Sequence, residues 1–124
     1  NPQAAAVLAA QLAELPVTGT CHAVVGMLRD KAIPEVLTVL APRIDQWHLL
    51  DLSATPRGAT AVQLQAVLPS GARERAECWS EIDTRLARLD ESVGPDDLVL
   101  VFGSFVTVGR VRQWLATTSV GWVE

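Results

Sequence analysis

The sequence predicts an α/β fold of three layers, a mostly parallel sheet with helices packed on both faces. Three observations lead there. Segments of helical and of strand character alternate along the chain. The strand-like stretches "CHAVVGM", "QWHLLDL" and "LVLVFGSF" are near-continuous apolar runs, which fits strands covered on both faces rather than on one. The apolar fraction of 49% and mean hydropathy of +0.25 are high for a chain of 124 residues. That excess fits doubly buried strands, or a surface made to pack on another domain.

The elements follow in order. Asn1 is a good N-cap and Pro2 suits the first helical position. "QAAAVLAAQLAEL" then supplies strong helix formers, with Val7, Leu8, Leu12 and Leu15 at helical spacing, so a helix over 3–15 is predicted. A chain that opens on its own cap, with no strand before it, is expected to begin partway through a longer protein, after an upstream strand. Pro16 ends the helix and "VTGT" is a loop. "CHAVVGM" is the first strand. "IPEVLTVLAPRI" is helical, with Pro34 tolerated in its first turn. "QWHLLDL" is the second strand and "SATPRGA" a loop. Thr60 and Gln63 form a T-x-x-Q capping box that opens the helix "AVQLQAVL". Pro69, Ser70 and Gly71 break it, and "ARERAE" is read as a short strand. "CWSEIDTRLARLDESV" is amphipathic, with Trp79, Ile82, Leu86 and Leu89 on one side. "GPDD" is a turn, in which Asp96 and Asp97 act as turn residues. "LVLVFGSF" is the clearest strand, "VTVGRVRQWLA" a last helix, and "TTSVGWVE" a tail able to add an edge strand.

Composition narrows the function. The length fits one domain, residues 1–124. A net charge of -4 and a pI near 5.1 argue against a nucleic-acid partner. No apolar run reaches the ~18 residues that a membrane span needs, and no basic stretch leads an apolar core at the N-terminus, so a cytoplasmic location is expected. Cys21 and Cys78 lie far apart without metal-ligand spacing and are read as buried or half-buried thiols. His22 and His48 lack a neighbouring Cys or carboxylate pattern and are read as structural. Trp47, Trp79, Trp114 and Trp122 are read as core or packing surface. Catalytic sets are mostly missing: no residue is assigned a catalytic or metal-ligating role, and there is no G-x-x-x-x-G-K-[ST] phosphate loop, G-x-G-x-x-G fingerprint or G-x-S-x-G elbow.

In sheets of this kind, sites form beyond the carboxyl ends of the strands. That rule selects three loops. Gly26, Arg29, Asp30 and Lys31 follow the first strand; Arg57, Gly58 and Thr60 follow the second; Gly103, Ser104 and Thr107 follow the last. Gly103-Ser104 at a strand-to-helix turn lets backbone N–H groups approach an anion, and Arg57 and Arg29 suit a carboxylate or phosphate. The bland readings stand beside these: Gly103-Ser104 as a tight turn and N-cap, Arg57 as a solvated charge, Asp30–Lys31 as a surface pair.

The stretches "GMLRDKAI", "ATPRGATAVQL" and "DDLVLVFGSFVTVGRV", in that order, resemble the C-terminal domain of the dihydrofolate synthase/folylpolyglutamate synthase family, a branch of the Mur ligases. Asn1-Pro2 resembles the end of that family's D-x-A-H-N-P motif. The resemblance runs from residue 1 to about 115. It implies a Rossmann-like Mur ligase C-terminal domain, paired in the full-length chain with an N-terminal ATPase domain absent from this sequence. It implies ATP-dependent addition of L-glutamate to dihydropteroate and to folates through an acyl phosphate, with ATP and Mg2+ bound mainly by that other domain. The isolated fragment would be inactive, and the enzyme a monomer. By resemblance, Asn1 and Pro2 belong to the nucleotide-side motif. Ser104, with Gly103, lies near the incoming glutamate, while Asp30, Lys31 and Arg57 face the cleft. Two positions depart from the family pattern: Ala32 stands where Asp is usual, and Val106 where His or Tyr is common. Alternatives are another Mur-family amino-acid ligase and a stand-alone anion-binding or interaction module.

Overall fold

The computed structural model describes residues 1–118 and Trp122; of the tail expected to add an edge strand, residues 119–121, 123 and 124 lie outside the described residues. Helix α1 (Pro2–Glu14) begins where the Asn1 side chain accepts a hydrogen bond from the Ala4 N–H at 2.8 Å. Strand β1 (Cys21–Val25) is followed by α2 (Ile33–Leu40), a 3-10 turn (Ala41–Arg43) and β2 (Gln46–Leu50). Next come α3 (Ala61–Val67), the single turn α4 (Ser70–Arg73), β3 (Ala76–Trp79), α5 (Ile82–Ser92), β4 (Leu98–Phe102) and α6 (Phe105–Ala116).

The four strands pair in parallel in the order β3-β2-β1-β4. All five residues of β1 are buried, as a central strand between two helical layers requires. Alternate side chains divide between those layers. Ala23, Val25, Trp47 and Leu49 pack with Leu12 of α1, Leu37 and Leu40 of α2 and Leu64 of α3. On the other face, Val24, Leu50 and Trp79 pack with Leu86 and Leu89 of α5 and with Val111 and Trp114 of α6. Strand β4 is half-buried along its length because no described strand covers its outer edge.

The capping box of α3 forms in both directions: Thr60 Oγ1 accepts from the Gln63 N–H at 3.0 Å, and Gln63 Oε1 accepts from the Thr60 N–H at 2.9 Å. Asp97 is a turn residue as expected. Its carboxylate accepts from the Thr20 N–H at 2.7 Å and the Gly94 N–H at 2.8 Å, which ties the start of β4 to the start of β1. Cys21 is buried and Cys78 half-buried, both as free thiols.

One stretch corrects the expectation. The strand predicted in "ARERAE" falls later, at Ala76–Trp79, and residues 70–73 form a helical turn instead. Cys78 and Trp79 therefore belong to β3 and not to the following helix. Register explains it: Trp79 pairs with Leu50 and is buried on the sheet, a position suited to an aromatic of high strand propensity.

Candidate functional site

A parallel sheet delivers every strand's carboxyl end to one edge. Here the chain passes from β1 to β2 to β3 in one direction, then returns to place β4 on the opposite side of β1. The carboxyl ends of β1 and β4 therefore flank a topological switch point, where a crevice opens. Gly26 and Met27 leave β1 there; Gly103 and Ser104 leave β4. Gly103 has φ +121°, and a Cβ on it would collide with the carbonyl oxygen of Gly26. Only glycine lets the two loops approach this closely.

A small hydroxyl network locks the crevice floor. Ser104 caps α6: its Oγ accepts from the Thr107 N–H at 3.1 Å. Thr107 is fully buried and its Oγ1 donates to the carbonyl of Gly26 at 2.7 Å. Ser104 Oγ and Thr107 Oγ1 lie 3.0 Å apart. Thr107 has one hydroxyl proton and a carbonyl can only accept, so that proton goes to Gly26. Ser104 must then be the donor to Thr107. The Ser104 hydroxyl keeps one free lone pair, able to accept a hydrogen bond from outside.

The loop after β2 is built on a four-residue turn, closed by the Gly58 N–H donating to the Thr55 carbonyl at 2.9 Å. Pro56 and Arg57 occupy its centre, and Arg57 has φ 63°, the one non-glycine residue with positive φ among those described. That position of a type II turn favours glycine or asparagine. Arginine there costs roughly 1 kcal/mol or more. This loop is stitched to the loop after β1. The Arg29 N–H donates to the Arg57 carbonyl at 2.7 Å and the Ala59 N–H to the Met27 carbonyl at 2.9 Å, with Leu28 and Gly58 forming an isolated antiparallel bridge. Across the seam, Arg57 Nη1 meets Asp30 Oδ2 at 2.6 Å, with both side chains exposed. Arg29, Ser53, Thr55, Arg57, Thr60 and Gln63 line a polar hollow of about 450 Å³. A larger hollow of about 580 Å³ lies along the open edge of β4, walled mainly by Val99, Val101, Val111, Leu115 and Trp122. Its lining is mainly apolar, with Asp97 and Arg112 as its charged members, whereas polar side chains dominate the first.

The residues selected from sequence thus fall into two groups at one edge. Gly103 and Ser104, with Gly26 and Thr107, form the switch-point floor. Asp30 and Arg57, with Arg29 and Gly58, form the stitched seam, where Asp30 pairs with Arg57 and not with its neighbour Lys31, which is exposed. Asn1 and Pro2 start a helix whose last turn lies beside the start of β1, since Leu12 and Leu15 share a hollow with Cys21 and Asp45. Helix α1 therefore runs antiparallel to the strands and begins at the same carboxyl edge. His22 and His48 lie within the sheet and hydrogen-bond each other through Nδ1 and Nε2 at 3.0 Å. Among the described residues, no three His, Cys, Asp or Glu are placed to hold a metal, and no helix is long and apolar enough to cross a membrane.

Two features of this edge escaped the reading of the sequence. Asp51 follows β2 directly and accepts from the Ser53 N–H at 2.8 Å. Hydrogen bonds from the Ser53 side chain, and then from its N–H, hold the Asp51 carboxyl below the usual carboxylate range. The D-x-S spacing that marks such an Asx turn was its available signal. Phe105, the first residue of α6, is almost wholly exposed, and an apolar residue beside a strand carries no signal of that.

Comparison with known proteins adds the following. The family model described as "Mur ligase, glutamate ligase domain" matches residues 1–105. The dihydrofolate synthase/folylpolyglutamate synthase of Escherichia coli (strain K12) is 39% identical over 115 residues, covering 91% of this chain and 25% of that protein. The chain superposes on the structure of E. coli FolC in complex with DHPP and ADP with a TM-score of 0.83 at 34% identity, over 94% of this chain and 27% of that one. It superposes on a bifunctional folylpolyglutamate synthase/dihydrofolate synthase with Mn, AMPPNP and L-glutamate bound with a TM-score of 0.81 at 39% identity, again over 94% and 27%. The chain spans about a quarter of the length of these relatives.

Proposed function

The chain belongs to the Mur ligase family, matching its glutamate ligase domain, and from that premise we propose that it is the glutamate-side domain of an ATP-dependent ligase that joins L-glutamate to dihydropteroate and to the γ-carboxylate of folates. The observation that carries this reading is the Ser104–Thr107–Gly26 network at the switch point. It holds one acceptor lone pair toward the crevice, suited to the ammonium of an incoming amino acid. The seam beside it offers Arg57 and Arg29 to carboxylate or phosphate groups. The relatives' complexes with nucleotide, DHPP and L-glutamate support the same ligand classes.

In the proposed reaction an oxygen of the acceptor's carboxylate attacks the γ-phosphorus of ATP, and the bond to the bridging oxygen breaks to release ADP. The glutamate amine, freed of its extra proton, attacks the acyl carbon; inorganic phosphate leaves and the amide remains. Divalent metal neutralises the phosphates during the first step. The described residues do not fit that metal, because they present no cluster of ligands, so Mg2+ and most of the ATP contacts are assigned to the remainder of the ligase chain. Residues 1–124 then act as one domain, with Asn1-Pro2 on the nucleotide side and Gly103, Ser104, Asp30, Lys31 and Arg57 facing the cleft. The net charge of -4 suits small-molecule partners rather than nucleic acid. A monomeric, cytoplasmic enzyme completes the proposal.

The test uses the full-length ligase with ATP, Mg2+ and dihydropteroate, following ADP release with and without L-glutamate. Glutamate-dependent ADP release with dihydrofolate formed is the expected result. Turnover with tetrahydrofolate alone would restrict the enzyme to polyglutamylation. No turnover with any folate would move the assignment to a Mur-type amino-acid ligase. In the active enzyme, Ser104→Ala is expected to raise the glutamate KM severalfold and the ATP KM by less; equal changes in both would remove Ser104 from the glutamate site.

A further inference from the structure

We propose that Phe105, with Val106 beside it, is the apolar contact on which the remainder of the ligase chain seats when the cleft closes, and that burying this ring keeps water from the acyl phosphate. The inference rests on the ligase reading and names the partner of the same edge. Phe105 is 98% exposed and Val106 38%. Every other tryptophan or phenylalanine ring among the described residues is packed. Trp47, Trp79 and Trp114 are buried; Phe102 lies edge-on to Trp47 at 6.4 Å and Trp122 edge-on to Trp114 at 5.3 Å.

The exposed ring stands on a rigid base. Its neighbour Ser104 caps the helix, Thr107 two residues on is buried and bonded to Gly26, and the backbone before it passes through Gly103 against the Gly26 carbonyl. With the backbone already anchored, docking has only the ring's own rotamers left to order. It also stands at the switch point beside Ser104, where a body closing over the crevice would meet it. The occupant is the rest of the same chain. Relatives run to about four times this length, since the chain covers 25–26% of them, and the phosphate loop that the reaction requires is absent from these 124 residues. If the contact is lost, water attacks the acyl carbon in place of the amine. The bond from that carbon to the phosphate oxygen breaks, phosphate leaves, the free acid returns, and ADP has formed without amide.

Two measurements on the full-length ligase test this. In the first, Phe105→Ala and Phe105→Leu are compared by amide formed per ADP released. Phe105→Ala is expected to lower that ratio at least twofold and amide kcat five- to tenfold, with the KM values for ATP and glutamate within twofold of the parent; Phe105→Leu restores most of both. An unchanged ratio overturns the proposal. A selective rise in one KM also overturns it, by making Phe105 a ligand contact. In the second, Phe105→Cys is alkylated with and without a non-hydrolysable ATP analogue, Mg2+ and a folate, against a parent control for Cys21 and Cys78. At least tenfold slower labelling in the ligand-bound state is expected, and equal rates overturn the contact even if the ligase accepts no folate. Absence of folate turnover in the parent would count against the ligase reading alone, because the labelling readout needs no turnover.

Discussion

Arg57 sits where a turn favours glycine, and its guanidinium is the group that the turn projects toward Asp30. A non-glycine residue at φ 63° is retained against local preference, and such strain tends to collect at functional positions. Stability and function should therefore separate at this residue. Arg57→Gly relieves roughly 1 kcal/mol of backbone strain and loses an exposed ion pair worth up to about 1 kcal/mol, so chemical denaturation should find stability within ~1 kcal/mol of the parent. The same variant in the full-length ligase is expected to raise the KM for glutamate or ATP on the order of tenfold, equivalent to ~1.4 kcal/mol of lost binding. Unchanged kinetics would make Arg57 a solvated loop charge. The loop position of Arg57 was legible from the sequence. Its pairing with Asp30 was not, because two charges 27 residues apart in different loops leave no local pattern. Ser104 had the opposite history. Its capping role follows from local spacing, whereas the direction of its hydroxyl depends on Thr107 being bonded to Gly26, 81 residues away.

Helices and strands were read most reliably where capping chemistry or a doubly buried run marked them. Asn1-Pro2, Thr60–Gln63 and Ser104 each open a helix as their side chains dictate; β4 is an unbroken apolar run and β1 is one interrupted only by His22. The exception was β3. Its four residues, Ala76–Trp79, show only weak alternation and join closely to α5, so Cys78 and Trp79 merge into a helical pattern until register with β2 separates them. Helix α3 offers the clearest test at this scale. It has only seven residues, too few to be stable without packing and caps. Both halves of its capping box are made. Thr60→Ala removes the half made by the Thr60 hydroxyl and keeps the half made by the residue-60 N–H, with an expected cost of about 1 kcal/mol. Denaturant titration should register that loss, while Thr60→Ser should keep most of it. Equal stability in Thr60→Ala would mean that the burial of Leu64 alone holds the helix.

At the scale of the molecule, the layered α/β plan was legible because alternation and continuous apolar strands leave few other ways to bury 49% apolar residues. What the plan hides inside the sheet is a pair of histidines. His22 and His48 lie on adjacent strands, on the face that α5 and α6 cover. Burial, then the neighbouring His22, then Arg85 lower the His48 pKa to about 4. Burial also lowers His22, opposed by Asp97 and Asp45. The Nδ1 of His48 is buried without a partner, so a proton added there would find no acceptor. The tautomer that fits places the His48 proton on Nε2, donating to His22. Both groups bind protons less readily folded than unfolded. Well above pH 6.5 the two states are equally neutral and nothing is lost. As pH falls from 6.5 toward about 4, the unfolded chain takes up protons that the folded chain refuses, and stability declines. A fully buried His48 would lose ~3 kcal/mol over that interval, at about 1.4 kcal/mol per pH unit. His48 is only partly buried, so a loss on the order of 1–2 kcal/mol is expected. Denaturant midpoints at pH 7 and pH 5 should show the decline ahead of any carboxylate protonation, and His48→Gln should flatten it. A decline that persists unchanged in His48→Gln would assign the proton uptake to His22 instead.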